Sequence, residues 1–301
     1  MLTGERAGAL PIAPTVSVVI ITRNEGPELQ ATTSNVLATL PAKHRQVIVV
    51  DDDSTDLSTA FLADLPEILV VRSPGIGVAR ARNYGASQAT GDVIVFVDAH
   101  MRMPEGWHDP LVEALRDPHV GAVAPGIYSI TEPKCRGFGL DLTGPELKAR
   151  WLHKEGSTPS RVPILPGCFL AMRRDTYRDT GGYDPGMQQL GGNDPELSCR
   201  LWLLGYELLV VPELEIGHLF RTAAPYPARW TSVVHNRLRM AFVHFGRGRV
   251  ERVTRALRAY DSFPAALAMM LDTEVDARRA EIVRARRFDD DWFFQRFAIT
   301  C

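Results

Sequence analysis

The feature that most constrains the fold is the alternation of short apolar segments with helical segments over the first 130 residues. Four segments are short, rich in β-branched residues and apolar on both faces, which is typical of strands buried in a sheet. They are VSVVIIT, QVIVV, EILVV and DVIVFV, with GAVAPGI as a candidate fifth. Helical segments lie between them, at about residues 28–40 and in the glycine-led GIGVARARNYGA. This alternation predicts βαβ units, and therefore an α/β fold with a mostly parallel central sheet.

Polar clusters follow three of these strands at the point where each strand ends. In such sheets ligands bind beyond the carboxyl ends of the strands, so we expect the three clusters to line one crevice. The alternative for any single acid is a helix cap or a turn residue. The clusters are Thr22-Arg23-Asn24-Glu25, Asp51-Asp52-Asp53-Ser54 and Asp98-Ala99-His100.

Asp98 and His100 indicate a metal site. With one residue between them, they place a hard oxygen and an imidazole nitrogen within reach of one cation. Mn²⁺ accepts both ligand types whereas Mg²⁺ favours oxygen, so Mn²⁺ is the expected ion and Mg²⁺ the alternative. Diphosphate oxygens of a substrate would complete the coordination, and His218, after another apolar strand, is a candidate third protein ligand. The competing interpretation is that both histidines are capping or packing residues.

Composition argues against several other classes of protein. The chain carries 34 Lys and Arg against 36 Asp and Glu, a net charge of −2, so no overall field attracts nucleic acid. Its four cysteines lack CxxC spacing, which favours a reduced, cytoplasmic location. No apolar stretch approaches the ~20 residues of a transmembrane helix, and the leader MLTGERAGALPIAP lacks a signal-peptide pattern.

In this order, the motifs resemble those of nucleotide-sugar glycosyltransferases with a Rossmann-like donor domain. VSVVIITRNE, VIVVDDDSTD and GVARARNYGASQATGDVIVFVDAH are similar to the donor half of family-two glycosyltransferases. The Asp-x-His form, with GHLFRTAAPY after it, most resembles the polypeptide N-acetylgalactosaminyltransferases, over about residues 15–245. The resemblance implies a single glycosyltransferase A-type domain that uses a UDP-sugar and Mn²⁺, with Asp98, His100 and His218 as metal ligands.

The resemblance also implies donor-binding roles for residues at the first two strand ends. Thr22 and Asn24, with the adjacent Glu25, lie where the family's first strand lines the nucleoside pocket. Asp51 or Asp52 corresponds to the acid that accepts a hydrogen bond from uracil. We therefore expect these side chains to contact the nucleoside.

Three arginines are candidates for the ribose and diphosphate. Arg80 and Arg82 match arginines that the family places there, and a guanidinium would form charge-assisted hydrogen bonds with phosphate or with Asp98. The alternative is a solvated helix face, which we expect for one of the two. Arg221, in HLFRTAAPYP, lies on a segment expected to close over the bound donor and exclude water.

The segment LGGNDPELSCRLW departs from the pattern of the polypeptide transferases, which retain anomeric configuration. Those enzymes carry Trp-Gly-Gly-Glu-Asn, so Leu190 replaces the tryptophan and the acid has moved to Asp194. Inverting family-two enzymes carry Glu-Asp, and their second acid is the catalytic base. Asp194 therefore predicts an inverting transfer, in which its carboxylate takes the proton of an acceptor hydroxyl or thiol. The alternatives are a helix N-cap for Asp194 and, for Glu196, orientation of Asp194 or an ion pair with an arginine.

We predict a glycosyltransferase catalytic domain at residues 15–225 and a helical C-terminal extension at residues 226–301. Within the domain we expect a donor half at about 15–125 and an acceptor half at about 126–225. The extension carries five arginines between positions 247 and 258. They form a solvated face or bind an anionic acceptor, a phospholipid surface or a partner subunit, and a homodimer through these helices is one expectation.

The expected activity is transfer of a hexose or N-acetylhexosamine to a peptide, a natural product or a glycan. One alternative is a retaining UDP-N-acetylhexosamine transferase, and another is a non-catalytic sugar-nucleotide-binding protein. A nucleotidyltransferase is a third alternative. It would carry a glycine-rich, basic loop after the first strand, which ITRNEGPELQ lacks.

Overall fold

The first part of the chain folds as its alternating pattern predicts. The structure, a computed structural model, describes residues 8–223, 225–227 and 229–301, so half of the leader lies outside the described residues. The first strand is buried along almost its whole length, and the first helix begins at Pro27, where a missing N–H costs nothing. The elements of this part are β1 (Val16–Thr22), α1 (Pro27–Thr39), β2 (Arg45–Asp52), β3 (Ile68–Ser73), α2 (Val78–Ser87) and β4 (Val93–Asp98), with short 3₁₀ turns at Ala42–His44 and Ala60–Asp64.

The second part of the chain adds shorter strands and completes the sheet. Its glycine- and proline-rich segment after residue 130 includes a hairpin whose apolar side chains are buried in the core. The elements are β5 (Met101–Arg102), α3 (His108–Ala114), β6 (Val120–Ser129), β7 (Arg136–Gly137), β8 (Leu140–Thr143), β9 (Lys148–Trp151), β10 (Ser160–Arg161), β11 (Phe169–Arg173), α4 (Arg174–Asp179), α5 (Asn193–Leu203) and β12 (Glu207–His218).

The central sheet is mixed, with a parallel part that contains the first four strands. Its order is β10-β12-β6-β11-β4-β1-β2-β3, and β5 and β7 pair with β12 and β6 at its margins. Strand β4 pairs in parallel with β1, β1 with β2 and β2 with β3, whereas β11 runs antiparallel between β4 and β6. The prediction of an α/β fold with a mostly parallel sheet is confirmed, and β11 is the internal antiparallel exception.

Strand register brings the predicted polar clusters to one edge of the sheet. Thr22 is paired with Asp51, and Ile21 with Asp98, so β1, β2 and β4 end side by side. Strand β12 reaches the same edge because its last residue, His218, pairs with Met101 of β5. His218 therefore lies beside the residue that precedes Met101, His100, although the two histidines are 118 positions apart in sequence.

The C-terminal helices pack on the sheet and share its core. Buried residues of the helices, including Leu238, Phe245 and Phe293, belong to the same apolar cluster as Phe96 of β4. Among the described residues, no helix combines the length and the apolar character needed to cross a bilayer. The helices are α6 (Trp230–His244), α7 (Arg247–Leu257), α8 (Phe263–Leu271), α9 (Val275–Ala285) and α10 (Asp290–Arg296).

The arginines of the C-terminal region have different environments. Arg247 is exposed and pairs with Glu251 one turn later, as expected for a solvated helix face. Arg249 is largely buried, pairs with Asp290 of α10 and packs its guanidinium on the ring of Phe294. At least one of the five arginines therefore holds the helices together.

Candidate active site

A cavity of about 420 Å³ opens where the polar strand ends meet, within the range of small-molecule sites. Most of the residues predicted from sequence line it. Apolar walls surround these polar groups, so charges inside the cavity are screened less than they would be in bulk water. The predicted residues that line it are Thr22, Glu25, Asp52, Arg82, Asp98, His100, Asp194, His218 and Arg221.

Asp98, His100 and His218 form a cluster with the geometry of a metal site. One ligand atom from each residue lies within 4.8 Å of the other two. The two Nε2 atoms are 3.1 Å apart, and His218 Nε2 is 3.9 Å from Asp98 Oδ2. Two nitrogen ligands about 2.1 Å from one ion and at a right angle would be about 3.0 Å apart, so the spacing fits a shared cation.

The surroundings of the two histidines also fit a metal. Glu25 Oε2 accepts a hydrogen bond from His100 Nδ1 at 3.1 Å, which leaves Nε2 directed at the cluster, as in carboxylate–histidine–metal arrangements. Burial, aided by the neighbouring His100 and Arg221, lowers the pKa of His218 to about 4, so this imidazole is neutral and able to bind a metal at pH 7. Burial alone would lower the pKa of His100, but the hydrogen bond to Glu25 and the charge of Asp98 raise it above its ordinary value.

Arg82 connects the metal cluster to Asp194. Its Nη2 donates to Asp98 Oδ1 and its Nη1 to Asp194 Oδ1, both at 3.1 Å. The guanidinium also donates to the Gly167 carbonyl at 2.6 Å and to the Tyr183 hydroxyl at 3.2 Å. Because it is almost fully buried and bound to two acids, Arg82 stays charged and fixes the two carboxylates relative to each other.

Asp194 lies in the first turn of α5 and does not cap it. The helix begins at Asn193, its N-cap position is Gly192, and no side-chain cap hydrogen bond is present at this end. Gly167 lies against the carboxylate so closely that an added Cβ would be 1.9 Å from Asp194 Oδ1. Burial raises the pKa of Asp194 despite the opposing charge of Arg82, which makes the carboxylate more basic than an exposed aspartate.

Glu196 does not orient Asp194. It is fully buried, forms an ion pair with Arg200, one turn along α5, and accepts a hydrogen bond from His244 of α6, whose pKa is lowered by burial. The possibility of an ion pair with an arginine, left open by the sequence, is the one that the structure bears out.

Three predicted donor-binding residues do not line the cavity. Asn24 Oδ1 accepts from the Thr55 amide at 2.7 Å and so joins the loops after β1 and β2. Asp51 accepts from the Ser54 amide and the Thr59 hydroxyl. Arg80 is exposed, and its Nε donates to the carbonyl of Pro185 at 2.7 Å. Of the two arginines on α2, Arg82 is thus the one in the cavity.

Asp52 lines the cavity, but its carboxylate also organises the start of α2. It accepts hydrogen bonds from the Ser73 hydroxyl and from the amides of Ile76 and Gly77 at 2.6–2.9 Å. It therefore fixes the turn from which α2, and with it Arg82, begins.

Four aromatic and basic residues of the cavity were not predicted from sequence. Arg23 packs its guanidinium over the ring of Tyr226, 5.8 Å from the ring centroid, and both line the cavity. Trp151 and Phe220 line it as well, with their ring centroids 6.0 Å apart. Arg23 stood within a predicted polar cluster, and Phe220 and Tyr226 lie in the expected closing segment, which includes Ala224 outside the described residues. No local pattern marked Trp151.

The sheet and the cavity at its strand ends define a Rossmann-like fold of the glycosyltransferase A type. The fold is similar to that of a structure described as GalNAc-T7 with UDP, GalNAc and Mn²⁺, with a TM-score of 0.76 and 22% identity over 95% of this chain and 57% of that one. It is also similar to mannosyltransferase PcManGT from Pyrobaculum calidifontis, described in complex with GDP-Man and Mn²⁺, with a TM-score of 0.53 and 20% identity over 92% and 88% of the two chains.

The sequence places the chain in a family. The family model of Glycosyl transferase family 2 matches residues 17–181, more than half of the chain, and the chain belongs to that family. Polypeptide N-acetylgalactosaminyltransferase 11 of Xenopus tropicalis is 36% identical over 258 residues, 77% of this chain and 43% of that protein. Polypeptide N-acetylgalactosaminyltransferase 15 of Homo sapiens is 32% identical over 256 residues, 77% and 40% of the two chains. The chain thus spans less than half the length of these relatives.

Proposed function

We propose that this chain is a metal-dependent glycosyltransferase that moves a hexose or N-acetylhexosamine from a UDP-sugar to an acceptor hydroxyl or thiol. The observation that carries the proposal is the convergence of Asp98, His100 and His218 in a cavity that also contains an arginine-bound carboxylate, Asp194. Similar proteins support the donor and the ion, because the GalNAc-T7 structure is described with UDP and Mn²⁺.

The metal would be held by Asp98 Oδ, His100 Nε2 and His218 Nε2, with Mn²⁺ as the expected ion. When bound, it would neutralise the charge that develops on the leaving diphosphate. Glu25 keeps His100 in the orientation that binding requires, and Arg221, now 2.7 Å from Glu25, lies close enough to reach the diphosphate after a change of side-chain conformation.

Asp194 is the proposed general base. Burial raises the pKa of Asp194, which makes its carboxylate a better proton acceptor. The hydrogen bond from Arg82 Nη1 to Asp194 Oδ1 holds the carboxylate in place. The carboxylate would take the proton of the acceptor hydroxyl or thiol as that group attacks the anomeric carbon opposite the diphosphate. Transfer by this route inverts the anomeric configuration.

Retention of configuration is the second candidate. The observation in its favour is the similarity to polypeptide N-acetylgalactosaminyltransferases, a group that retains configuration, over 77% of this chain. NMR analysis of the anomeric configuration of the product decides between them: an inverted product supports Asp194 as base, and a retained product excludes that role.

The proposed acceptor is a peptide, a glycan or a small natural product. The names of the similar proteins favour a peptide hydroxyl. The exposed side chains of Trp230 and Leu271 support a further proposal, a homodimer through the C-terminal helices, which sedimentation analysis would test.

The first experiment is calorimetric titration of the protein with UDP, with and without Mn²⁺. We expect tight binding only with Mn²⁺, and an affinity at least about 100-fold lower in His100→Ala. His119→Ala is the matched control, since the side chain of His119 is exposed and, within the part of the chain that the structure describes, hydrogen-bonds only to Asp117 of its own loop. An affinity for UDP that is the same with and without Mn²⁺, and the same in His100→Ala as in the wild type, would contradict the metal assignment.

Turnover separates the remaining classes. Release of free UDP from a UDP-sugar with Mn²⁺ supports a transferase, and UDP binding without release indicates a non-catalytic binder. Release of diphosphate from a nucleoside triphosphate would instead indicate a nucleotidyltransferase.

A further inference from the structure

The loop of residues 188–192 forms one wall of the cavity and leads directly into α5. Gln189, Leu190, Gly191 and Gly192 all line the cavity, and the proposed base, Asp194, follows in the first turn of the helix. Gly191 and Gly192 have φ angles of +86° and +80°, a backbone conformation that favours glycine. The position of this loop therefore determines both the shape of the wall and the place where α5 begins.

The loop is held from the outside by one side chain of α6. Asn236 is fully buried, its Oδ1 accepts a hydrogen bond from the Gln188 amide at 2.7 Å, and its Nδ2 donates to the Gln188 carbonyl at 2.8 Å. Nδ2 also donates to the carbonyl of Gly191. Nδ2 lies 3.4 Å from the Leu190 carbonyl as well, so one carboxamide contacts four backbone groups of a loop that has no regular secondary structure of its own to satisfy them.

Neighbouring contacts clamp the loop between α6 and α2. On the α6 side, a Cβ added to Gly191 would be 3.0 Å from Val233 Cγ2. On the other side, the Val78 amide at the start of α2 donates to the Gln189 carbonyl at 2.9 Å, and a Cβ added to Gly77 would be 2.8 Å from the Gln189 Cα. Because the loop is packed on both sides, we expect that a loss of the hydrogen bonds from Asn236 would shift the part of the loop that lines the cavity.

We propose that Asn236 is a positioning residue for sugar transfer, which holds the 188–192 loop so that the cavity wall and Asp194 meet the donor in productive geometry. This inference rests on the proposed function. Asn236 does not line the cavity, so it acts only through the loop. Displacement of reacting groups by about 1 Å can lower turnover about 100-fold, which is enough for such a residue to matter.

The test is Asn236→Asp, which keeps the size and the Oδ1 acceptor but replaces the donating amide with an oxygen that faces three carbonyls. We expect kcat/KM for the UDP-sugar to fall by about 10- to 100-fold, mainly in kcat, while the affinity for UDP with Mn²⁺ stays within about twofold. Gln46→Glu is the matched control, since Gln46 Nε2 also donates to a backbone carbonyl, that of Gln88, at the opposite end of the strands. We expect it to leave kcat/KM within about twofold.

A second variant guards against misfolding of the first. Gly191→Ala displaces the same loop from within, because the new Cβ must push against Val233 and the φ of +86° disfavours alanine. The same loss of kcat with retained UDP affinity in both variants supports the positioning role. Normal kcat in Asn236→Asp, or equal losses of kcat and UDP affinity in both variants, would overturn it.

Hydrogen exchange separates failure of this inference from failure of the proposed function. We expect amides of residues 186–194 to exchange at least about tenfold faster in Asn236→Asp than in the wild type. Unchanged exchange would show that Asn236 does not hold the loop, whatever the activity. A wild type that binds UDP but transfers no sugar would remove the proposed function and the positioning role with it, even if exchange in the loop responded.

Discussion

At the scale of single residues, the most informative side chain is Glu25. Its Oε2 contacts Nδ1 of His100, while Nε2 of the same ring faces the metal cluster. Glu25 also pairs with Arg221. A carboxylate in this position fixes the tautomer and orientation of the imidazole, so it contributes to metal affinity without touching the metal.

Replacement of Glu25 with Gln should weaken Mn²⁺ binding by about 10- to 100-fold. The amide keeps a hydrogen bond to His100 Nδ1 but loses the negative charge that makes the imidazole a better ligand. Direct titration with Mn²⁺ in the absence of nucleotide measures the effect. Glu113→Gln is a suitable control because Glu113 pairs only with the nearby Arg116 on the surface. Equal Mn²⁺ affinity of Glu25→Gln and the control would exclude the indirect role.

The pH dependence of metal binding follows from the two histidines. The pKa of His100 is raised, whereas burial lowers that of His218 to about 4. A metal binds only the neutral imidazole, so protonation of His100 competes with it as the pH falls through the His100 pKa. Apparent Mn²⁺ affinity should therefore drop by about tenfold per pH unit below that pKa, because binding then releases one proton from His100, and a second only near pH 4, where His218 also titrates.

Calorimetry between pH 5 and 8, in buffers of different ionisation enthalpy, counts the protons released on Mn²⁺ binding. Release of close to one proton below the pKa of His100 is the expected result. Release of two protons near pH 6 would mean that His218 is also charged there. The predicted difference in pKa between the two imidazoles would then be wrong.

At the scale of elements, the start of α2 is the feature on which the site depends. Asp52 at the end of β2 accepts three hydrogen bonds from the turn that begins α2, and Arg82 lies one turn further along the same helix. The resemblance assigned Asp51 or Asp52 to the nucleoside. The structure adds that Asp52 has a supporting role which does not depend on bound nucleotide.

Replacement of Asp52 with Ala should therefore lower the free energy of unfolding by about 2–3 kcal/mol even without ligand. The change leaves the amides of Ile76 and Gly77 without their acceptor in a half-buried position. Urea denaturation of the ligand-free protein measures the loss. Asp53→Asn is the control, since the exposed Asp53 forms a surface ion pair with Arg23 and asparagine tolerates the φ of +71° at this position. A purely nucleoside-binding Asp52 would reduce UDP affinity and leave unfolding unchanged.

At the scale of the whole molecule, a buried ionic network joins the catalytic part to the C-terminal helices. Glu196 of α5 pairs with Arg200 at 2.8 Å and with His244 of α6 at 2.9 Å, and all three side chains are fully buried. Arg200 also donates to the carbonyls of Thr180 and Gly182. These contacts tie α6 to α5 through the core, and the division of the chain at residue 226 stays a prediction.

Replacement of Glu196 with Gln should lower the free energy of unfolding by about 3 kcal/mol at pH 7, because it leaves the Arg200 charge without its ionic partner in the core. The charge of Arg200 holds the pKa of Glu196 far below its usual range. The stability that this carboxylate contributes is thus present above its unfolded pKa and is lost only as the pH falls towards the folded value. Denaturation between about pH 5.5 and 8 should show a deficit of nearly constant size, because the glutamate of the unfolded wild type is ionised over that range. A deficit that vanishes at pH 6 would contradict this.

The sequence by itself determined the order of strands and helices over about the first 130 residues, the edge at which the polar clusters meet and the residue types of the candidate metal cluster. These are local properties: an apolar run of fixed length forms a strand, and parallel strands end at one edge whatever lies elsewhere. For that reason Asp98, His100 and His218 could be predicted to meet in one cluster, which the structure contains.

Only the tertiary structure decided which polar residues support the site and which reach the cavity. Arg82 meets Asp194 across 112 positions and Asp98 across 16, while Arg80, two residues away, is exposed and donates to the Pro185 carbonyl instead. Asn236 lies in an ordinary helical stripe, yet it holds a cavity wall 45 positions earlier. Such contacts depend on how the elements pack and leave no periodic pattern in the sequence, because a hydrogen bond between distant residues requires only that the two groups meet.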